Sequence, residues 1–144
     1  MKNIKKVLLV VLMLISTVMC FAQETGYSVT VTVTGITNLE GEISIGLFQG
    51  KESYPKGEVI AGAFIKADNE TITCIFENIP EGVYAIAIYH DENTNAKMDR
   101  NFLGIPKEGY AFSNNVFGTF GPPKFEKAKF EVKEDIHLTI KMKY

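Results

Sequence analysis

Strict alternation of apolar and polar residues is the feature that most constrains the fold of this chain. From Tyr27 to Thr34, tyrosine and valines at every second position alternate with serine and threonines. The last segment, Ile136 to Tyr144, repeats the pattern with apolar residues at every second position. Because successive side chains of a β-strand point to opposite faces, this period of two predicts strands with one buried and one exposed face.

Further strand-like segments lie between these two and are separated by turn residues. Residues 43–47 alternate again after the turn sequence NLEG at 38–41, so residues 27–48 are predicted to form an antiparallel hairpin. More apolar runs flank the turns at 68–70 and 80–82. About seven short strands with no helical period predict an all-β fold, a two-sheet antiparallel sandwich.

The first 22 residues are predicted to be a signal peptide, which leaves residues 23–144 as a single domain. A cationic start precedes an unbroken apolar run from Val7 to Ile15, and small residues end the segment at Ala22. The run is shorter than the roughly 20 residues of a membrane-spanning helix. We therefore expect an exported, periplasmic or extracellular protein. A lipid anchor on Cys20 is less favoured, because Met19 precedes it where lipoprotein signals have a small residue.

Charge and cysteine content narrow the classes of partner. The leader holds three of the 15 basic residues and none of the 17 acidic ones, so the mature domain has a net charge of −5. With no clustered basic surface in the sequence, nucleic acid is not an expected partner. The mature domain keeps one cysteine, Cys74, in the strand-like sequence TITCIF. We expect its side chain to be buried in the core.

Residues 91–99 have oxygen-bearing side chains at the spacing of a calcium-binding loop. Calcium loops draw ligands from positions 1, 3, 5 and 9 and from a backbone carbonyl at position 7. The matching residues here are Asp91, Asn93, Asn95, Asp99 and, for the carbonyl, Lys97. Two positions differ, with Ala96 where the sharp turn favours glycine and Phe102 where a carboxylate is expected. Calcium is therefore the candidate cofactor, and the favoured alternative is an Asx-rich loop closed by its own hydrogen bonds.

The alternative to a binding function is a metal-assisted hydrolase that uses Asp91, Asp99 and His90. A serine hydrolase would pair Ser113 or Ser53 with that histidine, but neither serine lies in a nucleophile-elbow sequence. No other nucleophile with a neighbouring base is evident. The sequence therefore favours a non-catalytic binding or accessory module over an enzyme.

The segment from Asp91 to Pro123 is predicted to be a long loop region, and loops of this length in small domains are often functional. The predicted binding surface on and beside it consists of His90, Glu108, Tyr110, Phe112 and Asn114. Aromatic and amide side chains of this kind suit a protein, glycan or small-molecule ligand. Alternatively, the two rings fold over an open end of the sandwich and are structural.

Three segments together resemble an exported bacterial family catalogued as domain of unknown function 2141. They are FENIPEGVYA at 76–85, YHDEN at 89–93 and GIPKEGYAFSN at 104–114. The resemblance spans the mature chain and implies an exported single domain with no settled activity. The family usually has NGNGKLD where this chain has NTNAKMD at 93–99. The turn at 79–84 also resembles that of transthyretin-like sandwiches, so the expected fold is immunoglobulin-like or transthyretin-like.

Overall fold

The computed structural model describes residues 26–144, and the predicted signal peptide with Cys20 lies outside them. The described residues form eight β-strands and two short helical segments. The strands are β1 (Tyr27–Thr34), β2 (Glu42–Gln49), β3 (Ala61–Lys66), β4 (Thr71–Ile79), β5 (Gly82–Asp91), β6 (Tyr110–Phe112), β7 (Phe130–Val132) and β8 (Ile136–Lys141). A 3₁₀ turn covers Ser113–Asn115, and one α-helical turn covers Phe125–Ala128.

The strands form two sheets that pack face to face. One sheet has the order β4-β1-β8, and the other has the order β3-β2-β5-β6, with β7 also paired to β5. The prediction of an all-β, two-sheet sandwich is confirmed. The pairing is antiparallel throughout except between β1 and β8, which run parallel. An alternating sequence shows which face of a strand is buried, but it does not show the direction of its neighbour.

The predicted hairpin over residues 27–48 is wrong, because β1 and β2 belong to different sheets. β1 pairs with β4 and β8, whereas β2 pairs with β3 and β5. The turn at 38–41 therefore carries the chain from one sheet to the other. Both strands alternate in the same way in either arrangement, since each needs one face toward the core.

The main core lies between the two sheets and is built from the alternating apolar residues. Val29, Val31 and Val33 of β1 are fully buried, and the valine rows face apolar residues of β2 and β5 across the sandwich. Cys74 is buried in the same core, as predicted, and this burial raises the pKa of its thiol. No helix within residues 26–144 is long and apolar enough to cross a membrane.

The outer faces of the two sheets differ, and this difference positions the site. On the three-stranded sheet the outer face is mostly polar, with Ile75 as its exposed apolar residue on β4 and the Thr32 hydroxyl 2.8 Å from Nε2 of His137. On the five-stranded sheet the outer face carries Phe48, Ala85 and Phe112, which are buried in a second apolar cluster. Loops therefore cover part of the outer face of the five-stranded sheet, whereas β3 leaves Phe64 exposed there.

Candidate functional site

A cleft of about 810 Å³ lies over the outer face of the five-stranded sheet. Its floor is formed by outward-facing residues of three adjacent strands, namely Ser44, Gly46, Phe48, Ala87, Tyr89, Tyr110 and Phe112. Small residues at three of these positions leave room above the sheet. The volume is within the range of about 300 to 1,000 Å³ that is typical of small-molecule sites.

Three loops form the walls of the cleft. They contribute residues from the segments 55–59, 96–106 and 118–122. Several of these wall residues are exposed apolar side chains, in particular Leu103, Ile105 and Phe120. Exposed apolar groups that line a concave surface are typical of binding sites.

Tyr110 and Phe112, two members of the predicted binding surface, lie in this cleft. They pack on the face of the five-stranded sheet and not over an end of the sandwich. The Phe112 ring is 7% exposed and lies edge-on to Tyr54, with ring centroids 6.2 Å apart. Tyr110 is partly exposed and packs edge-on against Phe117, at 5.8 Å. Both residues therefore pack against neighbouring rings of the fold and also form part of the cleft floor.

The other three members of the predicted surface have structural contacts. The His90 ring is fully buried on the core side of β5, where Nε2 donates to the Glu40 carbonyl at 2.7 Å. Nδ1 is hydrogen-bonded to the Tyr144 hydroxyl at 2.8 Å, and burial raises the pKa of that phenol. Asn114 has a positive φ of 60° and donates to the carbonyls of Lys127 and Lys129.

Glu108, the fifth member, anchors both ends of the predicted calcium loop. Its carboxyl group is 6% exposed and accepts the backbone N–H groups of Glu92 at 3.1 Å and Asp99 at 2.8 Å. A buried carboxylate needs such donors, because it loses hydration on folding. Glu108 therefore links the beginning and the end of the loop through these two hydrogen bonds.

Within this loop, Asp91 is 3% exposed and accepts two backbone N–H groups, those of Asn95 at 3.0 Å and Ala96 at 2.7 Å. The side-chain oxygens of Asn93 and Asn95 accept backbone N–H groups two residues ahead, at 3.1 and 2.8 Å. These are the hydrogen bonds of an Asx-rich turn. Ala96, at position 6, has a positive φ of 60°.

The side-chain ends of three predicted ligands meet at the open side of the loop. The Asn93 amide donates to the Asp99 carboxylate at 2.7 Å, and the Asn95 amide donates to it at 3.2 Å. Lys97, the predicted backbone-carbonyl ligand, has an exposed side chain that lines the cleft. Among residues 26–144, no group of three or more histidine, cysteine, aspartate or glutamate side chains has a metal-binding arrangement.

Both serines of the hydrolase alternative bond to backbone. The Ser113 hydroxyl is fully buried, donates to the Ala128 carbonyl at 2.6 Å and accepts the Ile86 N–H at 2.9 Å. The Ser53 hydroxyl donates to the Gln49 carbonyl at 2.8 Å. Neither hydroxyl is hydrogen-bonded to His90, whose ring nitrogens are both engaged elsewhere.

Sequence reasoning missed most of the cleft walls, including Lys56, Val59 and Phe120. One signal for the floor was present in β5, where residues 83–89 form a continuous apolar run, VYAIAIY. A run without alternation is typical of a strand that is buried on both faces. It indicates that loops cover the sheet there, but not which loops.

Comparison with protein families gives one match. The model of the family DUF2141, described as an uncharacterized protein conserved in bacteria, matches residues 31–140. The match spans the strands from within β1 to within β8 and includes the cleft and the predicted calcium loop. Searches of curated proteins and of solved structures found no match.

Proposed function

This chain belongs to the DUF2141 family of uncharacterized bacterial proteins, and we propose that it is an exported, non-catalytic binding module whose ligand occupies the cleft over the five-stranded sheet. The cleft itself is the observation that supports this function. It combines a floor of aromatic and small residues with exposed apolar side chains on the loops that form its walls. The leader-like residues 1–22 support export.

The geometry supports binding over a metal-assisted hydrolase. A hydrolase would need His90, Asp91 and Asp99 to act on one substrate, yet the first two are successive residues of a strand and point to opposite faces. His90 is also fully buried, with both ring nitrogens in hydrogen bonds. A general base must reach the proton that it removes.

Removing the Phe120 ring should weaken binding without changing stability. The side chain is fully exposed and lines the cleft, so Phe120→Ala removes apolar contact with a ligand but no packing of the fold. We expect the affinity for the neutral fluorescent probe N-phenyl-1-naphthylamine to fall about 3- to 10-fold, or about 0.7 to 1.4 kcal/mol, since a bound probe covers only part of a ring on the cleft wall. Fluorescence titration measures this affinity.

Phe102 provides the matched control. It is 95% exposed, lies in the same group of loops and does not line the cleft. Phe102→Ala should leave probe affinity unchanged, and both variants should keep their stability within about 0.5 kcal/mol. Equal affinities in the two variants, or no saturable binding in the parent protein, would contradict the cleft as the ligand site.

A calcium ion at residues 91–99 is the second part of the proposal. The specific observation in its favour is the positive φ of Ala96, because calcium loops need a sharp turn at this position. The clustered side-chain ends of Asn93, Asn95 and Asp99 also agree with it. Binding requires the two amides to turn their oxygens toward the ion, which breaks hydrogen bonds. We therefore expect weak affinity, in the millimolar range of extracellular calcium modules.

The calcium proposal predicts a shift in thermal stability. With a Kd of about 1 mM, 10 mM calcium should stabilise the fold by about 1.4 kcal/mol, which raises Tm by several degrees. Magnesium should have less effect, because it demands a tighter octahedral shell. A Tm that is the same in 10 mM calcium and in chelator would exclude this site.

Glycine at position 96 should stabilise the loop. Because the positive φ of Ala96 is present in the metal-free fold, where it costs alanine about 1 kcal/mol, Ala96→Gly should raise Tm both with and without calcium and should leave the calcium-induced shift nearly unchanged. Ala63→Gly, in strand β3, is the control and should destabilise by about 0.5 to 1 kcal/mol. Ala96→Gly that lowers Tm would contradict the loop geometry.

A further inference from the structure

We propose that the ligand of the cleft is a free organic anion with an apolar body, an inference that rests on the proposed binding function. The apolar body would lie on the aromatic floor, and the anionic group would lie near the cations of the walls. Two independent features of the cleft lead to this class of ligand, namely the sign of its charged residues and the apolar nature of its lining.

All the charged residues that line the cleft are cationic. They are Lys56, Lys97 and Arg100, and among residues 26–144 no aspartate or glutamate lines it. Composition does not account for this, because the whole chain has more acidic residues, 17, than basic ones, 15. A cleft lined by one sign of charge raises the local concentration of ligands of opposite sign.

These cations are not neutralised by neighbouring carboxylates. The ion pairs found in the described part of the chain join Lys51 to Glu52, Lys129 to Glu126 and Lys133 to Glu131, and none includes a cation of the cleft. The Arg100 guanidinium donates to the Gly104 carbonyl at 3.0 Å, which orients it on the loop. Its remaining N–H groups suit a carboxylate, sulfonate or phosphate.

The lining also selects for an apolar body. Tyr89, Tyr110 and Phe112 are on the floor, and Leu103 and Ile105 are on the wall beside the two cations of the same loop. A small inorganic anion would leave these apolar surfaces in contact with water. An organic anion would cover them and would place its charge at the cationic wall.

Two fluorescent probes that differ by one anionic group test the inference. 8-Anilinonaphthalene-1-sulfonate carries a sulfonate, and N-phenyl-1-naphthylamine is its neutral counterpart. We expect the purified protein to bind the sulfonate more tightly. Lys97→Gln and Arg100→Gln should each weaken sulfonate binding about 3- to 10-fold and should leave binding of the neutral probe within 2-fold. Salt at 0.5 M should weaken binding of the sulfonate probe and not of the neutral probe, since salt screens exposed charges.

Lys107→Gln is the matched control, because Lys107 is an exposed cation of the same loop that does not line the cleft. It should leave the affinity for both probes unchanged. Equal affinity for the two probes, or sulfonate binding that is indifferent to Lys97 and Arg100, would overturn the anion inference while the cleft stays a binding site. If the purified parent protein binds neither probe, the proposed function is refuted. Cosedimentation with phosphatidylglycerol vesicles would assign the cleft to membrane lipid and overturn the choice of a free anion.

Discussion

Phe112→Ala is expected to lower the free energy of unfolding by about 3 to 5 kcal/mol, as truncation of a buried phenylalanine does. The Phe112 ring is 7% exposed and lies at the centre of the cluster that joins the outer face of the five-stranded sheet to the loops. It makes edge-on contacts with Tyr54, Tyr110 and Phe117 at centroid distances of 6.2, 6.0 and 6.5 Å. Truncation leaves a cavity that these rings cannot fill.

Denaturant unfolding measures this loss, and two further variants make it specific. Phe112→Leu keeps most of the apolar volume and should cost less than about 1.5 kcal/mol. Phe102→Ala removes the same number of atoms from a ring that is 95% exposed and should change stability by less than about 0.5 kcal/mol. A loss below 1 kcal/mol in Phe112→Ala would mean that the loops do not pack on the sheet.

Gly41→Ala should destabilise the protein by about 2 to 5 kcal/mol. Gly41 has a φ of +71°, which an alanine adopts at a cost of about 1 to 2 kcal/mol. A Cβ at this position would also overlap the Asp91 carbonyl oxygen and would lie 2.8 Å from the Glu92 Cα atom. Relief of such overlap requires a backbone shift, which adds a cost of about 1 to 3 kcal/mol. The predicted calcium loop, residues 91–99, begins at this contact.

A matched substitution at Gly50 separates the cost of the positive φ from the cost of the overlap. Its φ of +74° is nearly the same, but a Cβ there would have no neighbour within 4 Å. Gly50→Ala should therefore cost only about 1 to 2 kcal/mol, and the difference between the two variants in denaturant unfolding measures the close approach at Gly41. Equal losses in the two variants would show that the turn does not contact the start of the loop.

The sequence predicted the strands well because alternation of residues follows directly from burial of one face. The valine rows of β1 and the position of Cys74 are where the pattern predicts them. Pairing was not predictable in the same way. β1 pairs with β4 and β8, which are distant in sequence, and its own pattern is compatible with any neighbour. The hairpin interpretation failed for this reason.

The candidate site was predictable only in part. Tyr110 and Phe112 were identified because a segment that mixes turn residues, aromatic rings and amides suits a recognition surface, and both residues lie in the cleft. Lys56 and Phe120 come from loops that are distant in sequence, and only the fold brings them together. His90 was assigned to the predicted binding surface. Because successive side chains of β5 point to opposite faces, its ring instead lies on the core side, where it is hydrogen-bonded to the Tyr144 hydroxyl.

Backbone amide NMR of the purified protein, titrated with 8-anilinonaphthalene-1-sulfonate, tests the cleft most directly as the ligand site. Saturable shifts are expected for amides that line the cleft, including those of Gly46, Ile105 and Phe112. Amides on the polar outer face of the three-stranded sheet, such as Thr32 and Thr73, should stay unchanged. Shifts confined to that polar face, or no saturable shift at any cleft amide, would contradict the assignment of the cleft as the binding site.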